Sequence, residues 1–269
     1  MSTPLELFQQ GQLTQAIEAA TDAVRNQPSD VGARSLLCEL LCFEGEFERA
    51  DKQLEAASQI DADSMVGVSL IRHLIRSELC RKEVFEEGRL PEFLTQPTTA
   101  QQLRLKAVAA LREGAHAEAA GLAAQASEEE TDVSGSLNNE DFDGFRDLDD
   151  ILGPMVEIFT ATGQYYWLSA DQIVSLEFSG ISHISDMLWR AAEIMTVGDV
   201  SGRVHVPALY YGSCQDDDER LRIGRATDWK QHGEDGPITG VGQREWLAGD
   251  DAVPVNQVGF LSFSPGEES

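Results

Sequence analysis

Along roughly its first half the chain places apolar and small residues at three- and four-residue steps; along its second half the apolar runs shorten and turn residues crowd between them. The first pattern is helical and the second is β-prone. Residues 65–87 carry Met65, Val68, Ile71, Leu74, Ile75, Leu79 and Phe85, a spacing near the 3.6-residue period that predicts one long helix. Gly88 is placed to stop it, and the stretch from Gly88 through Pro91 to Leu94 predicts a break before a second short helix. At the start, Thr3-Pro4-Leu5-Glu6 reads as a capping box with Pro at the first helical position.

Within the helical half the pattern repeats. Gly11, Leu13, Ala16, Ala20, Ala23 and Pro28 return 34 residues later as Gly45, Phe47, Ala50, Leu54, Ala57 and Ala62. That period, with glycine between helices and short side chains where helices touch, is the tetratricopeptide signature. A further copy stands at Gly114, His116, Ala119, Ala123 and Ala126, and the long 65–87 helix occupies the gap. Stacked helical hairpins bury their apolar faces only against one another, so something must cover their ends.

From Ser127 to Asp150 there are ten acidic residues and one basic residue, Arg146. Few large apolar groups appear before Phe142, and the stretch predicts an acidic linker with a poorly ordered middle. Beyond it Leu148, Ile151, Leu152, Met155, Ile158 and Phe159 predict an amphipathic helix ended by Gly163. Short strands are predicted at Tyr165–Leu168, Ile173–Phe178, Ala192–Val197, Arg203–Tyr210, Leu221–Ala226, Glu245–Ala248 and Val258–Phe263, with one helical turn at Ile184–Arg190. The organisation expected is α+β in two domains: a tetratricopeptide-like α-solenoid over 1–126, an acidic linker over 127–144, and a small, mainly antiparallel α+β domain over 145–269.

Charge narrows the function. Twenty Lys and Arg against 47 Asp and Glu give a formal net charge of −27, which disfavours phosphate backbones and anionic membrane surfaces. No apolar run approaches the ~20 residues of a membrane-spanning helix, and the first residues lack a secretory pattern. Four cysteines, Cys38, Cys42, Cys80 and Cys214, are too few for a disulfide framework in so long a chain, and a reduced, cytoplasmic protein is expected.

Candidate chemistry is thin. Asn139-x-Asp141-x-Asp143-Gly144-x-x-Asp147-x-x-Asp150 has the spacing of a calcium loop. However, Asn leads it, Asp150 stands where a bidentate Glu belongs, and no good helix precedes it; a metal-dependent enzyme built on 141–150 is the remote reading. Cys38 and Cys42 sit among leucines as buried hydrophobes. The glycine-rich 233–242 run lacks a phosphate-binding ending and reads as turns. No catalytic residue, metal or cofactor is expected. The basic residues Arg72, Arg76, Arg81, Lys82 and Arg89 gather on or just after the long helix. They are either a solvated face paired with the protein's own acids or an anchor for a partner's helix.

Longer strings carry a family resemblance. Phe145 to Pro154, Tyr165-Tyr-Trp167, Leu188-Trp-Arg190, Val206-Pro-Ala-Leu-Tyr210, Arg222 to Trp229, Gly242-Gln-Arg244 and Glu83 to Leu94 resemble the ImpE/SciE (TagJ) family of type VI secretion accessory proteins. The resemblance implies a non-enzymatic adaptor that binds a helix of the small contractile-sheath subunit and is linked to the AAA+ ATPase that disassembles contracted sheath. The resemblance carries the role and no residue map; the 34-residue repeat together with the basic cluster places the expected partner-binding residues at Phe43, Arg72, Arg76, Arg81 and Arg89. A generic tetratricopeptide scaffold or chaperone-like module is the alternative.

Overall fold

The computed structural model describes residues 2–60 and 65–264. Seven helices open the chain: α1 (Pro4–Gln9), α2 (Leu13–Asn26), α3 (Val31–Phe43), α4 (Phe47–Ile60), α5 (Met65–Glu87), α6 (Thr99–Arg112) and α7 (His116–Glu128). Their starts follow local chemistry. Thr3 and Glu6 close the capping box on α1, Asp30 accepts from the Ala33 N–H at 2.9 Å, and Thr98 with Gln101 repeats the box on α6. The recurring glycines Gly11, Gly45 and Gly114 turn the chain at φ +85°, +75° and +77°, a left-handed conformation in which a Cβ is strained. Ala16, Ala50, Ala119 and Ala126 are fully buried, so short side chains do stand where helices cross. The repeat position at Ala62 lies outside the described residues.

The missing repeat is α5 followed by an extended segment instead of a partner helix. Glu92 adds itself beside a strand, its N–H donating to the Tyr165 carbonyl at 2.8 Å while its own carbonyl accepts from the Trp167 N–H at 3.1 Å. The next helix waits until Thr99 and runs 14 residues, longer than the short helix the sequence suggests.

The strands are β1 (Ser134–Leu137), β2 (Glu140–Asp143), β3 (Phe145–Asp147), β4 (Met155–Thr160), β5 (Tyr165–Ser169), β6 (Ile173–Phe178), β7 (Trp189–Thr196), β8 (Ser201–Pro207), β9 (Thr227–Gln231), β10 (Ile238–Gly242), β11 (Glu245–Ala248), β12 (Asp251–Pro254) and β13 (Phe260–Phe263). An eight-stranded antiparallel sheet has the order β2-β1-β13-β6-β7-β8-β4-β5; β12-β11-β3 form a smaller sheet and β9–β10 a hairpin.

Three expectations need correction. The acidic 127–144 stretch is not a loose linker: α7 runs to Glu128, and β1 and β2 form the edge hairpin, turning through Asn138 and Asn139 at φ +52° and +72°. Glu140, Asp141 and Asp143 lie on the free sheet edge, where charge opposes strand addition, while Glu130 pairs with Arg104 of α6. The helix expected over 148–159 is instead a turn followed by β4, whose Met155–Phe159 are all buried. A strand buried on both faces reads as a continuous apolar run that periodicity cannot separate from a helix. Leu221–Ala226 is not a strand either; it begins inside the short helix α8 (Glu219–Arg222), capped by Asp218.

One hydrophobic core crosses from the helices into the sheet. Phe8, Leu40, Leu74 and Val108 pack in the same cluster as Ile151, Met155, Phe159, Trp167, Leu188 and Ile223, and a second cluster fills the space between the two sheets around Leu176, Trp246 and Phe263. Polar contacts reinforce this seam at each end: Glu219 accepts from the Leu13 and Thr14 N–H groups at the start of α2, and Gln101 of α6 donates to Ser169 at 3.1 Å.

Candidate functional site

At the middle of the seam lies a buried polar clasp. Arg81 on α5 donates from Nε and Nη2 to the two oxygens of Glu157 on β4, both at 2.8 Å, and from Nη2 to the Leu209 carbonyl at 3.1 Å. Arg244 reaches Glu157 from the other side and lies 3.3 Å from Asp147. Tyr165 donates its hydroxyl to Glu157 and accepts from the Trp167 indole. Glu157, Asp147 and Arg244 are fully buried. Burial works to raise the Glu157 pKa, but Arg244 and Arg81 outweigh it and hold the carboxyl at about 2. Burial pushes Asp147 up to about 7 against the pull of Arg244. It pushes Asp149 up to about 6 although Gly240 and Ile151 donate backbone N–H groups to it. Both oxygens of Glu157 are engaged and sealed from water, so the cluster fastens β4 to α5.

Beside the clasp, the loop after β8 reaches into the helices. The Tyr211 ring stacks on Phe85 with centroids 4.5 Å apart and planes 7° from parallel, and its hydroxyl donates to Glu86 at 2.6 Å. The stack forms a bar between two clefts. The first, roughly 420 Å³, lies between Phe43, Phe47, Leu79, Trp189 and Leu209, with Glu46 and Glu48 in its lining. The second, roughly 540 Å³, is lined by Phe85, Val108, Leu111, Ile151 and Leu152, with Arg112 and Lys230 beside them. Tyr210 supports the bar from below: its ring packs under Gly240, where a Cβ would come within 2.2 Å of it, and against Trp229 at 5.8 Å. The first cleft is mixed in character, with Glu44, Glu78, Arg81 and Lys82 also in its lining, and the second is the more apolar. Concave spaces at a junction of substructures are where proteins take ligands or partner side chains.

Residues 7–68 match the tetratricopeptide repeat family, and residues 139–262 match the family described as ImpE protein. A Pseudomonas aeruginosa protein, the type VI secretion system accessory component TagJ, is 31% identical over 261 residues, spanning 97% of this chain and 90% of that one. The chain belongs to the ImpE family. The crystal structure of protein VPA1032 from Vibrio parahaemolyticus shares the fold with a TM-score of 0.90 at 28% identity, covering 97% of each chain. The likeness spans helices and sheet together, in keeping with their common core. Several strings that carry the resemblance meet at the seam. Glu83–Leu94 supplies Phe85 and Glu86, Tyr165–Trp167 the buried aromatics, Val206–Tyr210 the stem of the bar, and Gly242–Arg244 the second guanidinium of the clasp.

Set in this ImpE fold, the five expected contact residues do not form one patch. Phe43 is buried against Phe8, ring centroids 5.0 Å apart, and Arg81 is held inside the clasp, so each meets the first cleft only at its floor. Arg72 pairs with Asp51 of α4 at 2.5 Å and Arg89 with Glu83 at 2.6 Å. Arg76 is exposed, its stem beside the Gly163 turn. The basic row is thus largely matched by the chain's own acids. The calcium-like spacing is dispersed: Asp141 and Asp143 lie on the edge hairpin, Asp147 and Asp149 turn inward, and Asp150 pairs with Arg146 at 3.0 Å. Among the described residues no group of three or more His, Cys, Asp or Glu is arranged to hold a metal. Sequence reasoning missed Tyr211, Glu157 and Arg244. Only Arg244 carried a signal, as a lone cation between a glycine turn and a β-prone run.

Proposed function

We propose that this ImpE-family chain is a non-enzymatic adaptor of a bacterial type VI secretion system. It binds a helix of the small contractile-sheath subunit and assists the handling of sheath by the AAA+ ATPase, in the cytoplasm. The observation that supports this most is the pair of clefts that share Tyr211, the second mainly apolar and the first apolar with an acidic rim. An amphipathic helix recognises a protein through apolar side chains spaced along one face, and two neighbouring recesses with a rigid aromatic between them suit that mode. The clefts replace the open solenoid surface as the docking place in this reading, because Ser185 before β7, Trp189 of β7, Tyr211 after β8 and Ser169 of β5 cover α3, α5 and α6. Among the described residues no helix is long and apolar enough to cross a membrane.

Isothermal titration with a synthetic peptide of the subunit's first helix tests the reading. Leu79→Glu in the first cleft and Leu111→Glu in the second should each weaken binding at least tenfold, about 1.4 kcal/mol. The pair Arg72→Glu with Arg76→Glu reports whether the exposed basic residues contribute. Absence of binding by the wild-type chain, to the peptide and to the full sheath subunit alike, would reject the proposal.

A further inference from the structure

The eight-stranded sheet has an outward face that the helices leave bare on β13, β6, β7 and β8, and its register gives that face a definite chemistry. One row across it reads Phe260, Glu177, Glu193, Arg203; the next reads Ser262, Ser175, Met195, Ser201. Leu261, Leu176 and Ile194, on the intervening row, point the other way and are buried. At the end of the β7–β8 hairpin Val174, Met195, Val197 and Val200 are 36%, 47%, 63% and 56% exposed, and Phe260 is 39% exposed. Single exposed aliphatics are ordinary, but four at one corner of a sheet make a patch.

The charges beside that patch are unbalanced. Glu177 and Glu193 stand directly opposite each other on neighbouring strands, and neither has a salt bridge among the described residues. Like charges in that position repel, an arrangement that a cation from outside relieves. Asp199 at the hairpin tip adds a third exposed carboxylate, and Arg203 is the one cation in the Phe260 row.

We propose that this corner of the sheet is a second docking surface, taking a basic amphipathic helix of a protein partner. Its apolar side would lie on Val174, Met195, Val197 and Val200, and a Lys or Arg would sit between Glu177 and Glu193. A second copy of the chain fits less well, because it brings the three carboxylates Glu177, Glu193 and Asp199 with the single cation Arg203. The surface lies on the outer side of the sheet and stands whether or not the clefts hold a sheath helix. It gives an adaptor the separate contact it needs to connect two bodies.

The test uses the full chain and a fluorescent peptide of Leu and Lys with helical amphipathic spacing, beside a scrambled peptide of the same composition, at physiological and raised salt. The scrambled peptide should bind at least tenfold more weakly. Met195→Ser with Val197→Ser, and separately Glu177→Gln with Glu193→Gln, should each lower the affinity for the amphipathic peptide at least tenfold while circular dichroism melts show the fold kept. The cleft variant Leu111→Glu should leave it unchanged. Equal binding of the scrambled peptide, unchanged affinity in both double variants, or loss in the cleft variant would overturn the proposal. So would a dimer in sedimentation that Met195→Ser with Val197→Ser dissolves, since it would assign the patch to a second copy.

Discussion

Replacing Glu157 with Gln is the sharpest test of how the two parts of the chain are fastened. The substitution keeps the volume and removes one negative charge from between two buried guanidiniums. Arg81 keeps Glu78 and the Leu209 carbonyl, and Arg244 keeps Asp147, but both lose the carboxylate that faced them, and Tyr165 loses its charged acceptor. Removing one partner from a buried ion pair costs about 3–5 kcal/mol, because an uncompensated charge remains in the interior. For a chain of this size each kcal/mol moves the melting temperature by roughly 2–4 °C, so a fall on the order of 6–20 °C is expected. The half-exposed Arg72–Asp51 pair is the internal control: its side chains are 38% and 46% accessible, and Arg72→Ala should cost no more than about 1 kcal/mol. Melting followed in parallel by far-ultraviolet circular dichroism and by tryptophan fluorescence reads both helices and seam, since Trp167 and Trp189 sit in the shared core. A Glu157→Gln protein melting within about 1 °C of the Arg72→Ala protein would refute the reasoning.

Three further outcomes follow from the same geometry. Asp147 and Asp149, pushed up to about 7 and 6, bind protons more tightly folded than unfolded, so stability should fall as pH rises from about 4 to 7 and level off above. Glu157, held near 2, works in the opposite sense only below its ordinary value; melting should be higher at pH 5 than at pH 8, and Asp147→Asn should narrow that gap. Gly240→Ala places a methyl within 2.2 Å of the Tyr210 ring and should cost about 1–3 kcal/mol in a denaturant titration; an unshifted midpoint would show that the ring moves freely. Tyr211→Ala removes the stack on Phe85, a loss of about 0.5–1.5 kcal/mol beyond area burial, and a crystal structure of the variant should show the two clefts joined.

The helical half was largely legible because its rules are local. The capping box at Thr3, the turn glycines and the full extent of α5 follow from neighbouring residues. The strands were legible where turn residues bracket them, as at Ile173–Phe178 and Glu245–Ala248. They were illegible where tertiary placement overrides pattern. β4 looks helical because it is buried on both faces, and β2 looks like a linker because a free edge demands charge. The glycine run 233–242 looked like turns, yet half of it is β10, with Gly240 selected by the Tyr210 ring that crosses it. The site fared worst. Basic residues on α5 attracted attention as a cluster, whereas their partners Asp51, Glu157 and Glu83 come from distances in sequence that no local rule spans, or from the same helix by chance of spacing.

A solenoid of helical hairpins left to itself bends like a spring, each repeat touching only its neighbours. Here the second half of the chain touches α2 through Glu219, α3 through Ser185, α5 through Glu157 and α6 through Ser169. The hairpins are therefore held in place from outside the array, and the recesses at the seam have a shape already set. Under the proposed function, docking of a helix there would require little ordering of the host, and discrimination among partners would fall to the fit of their side chains.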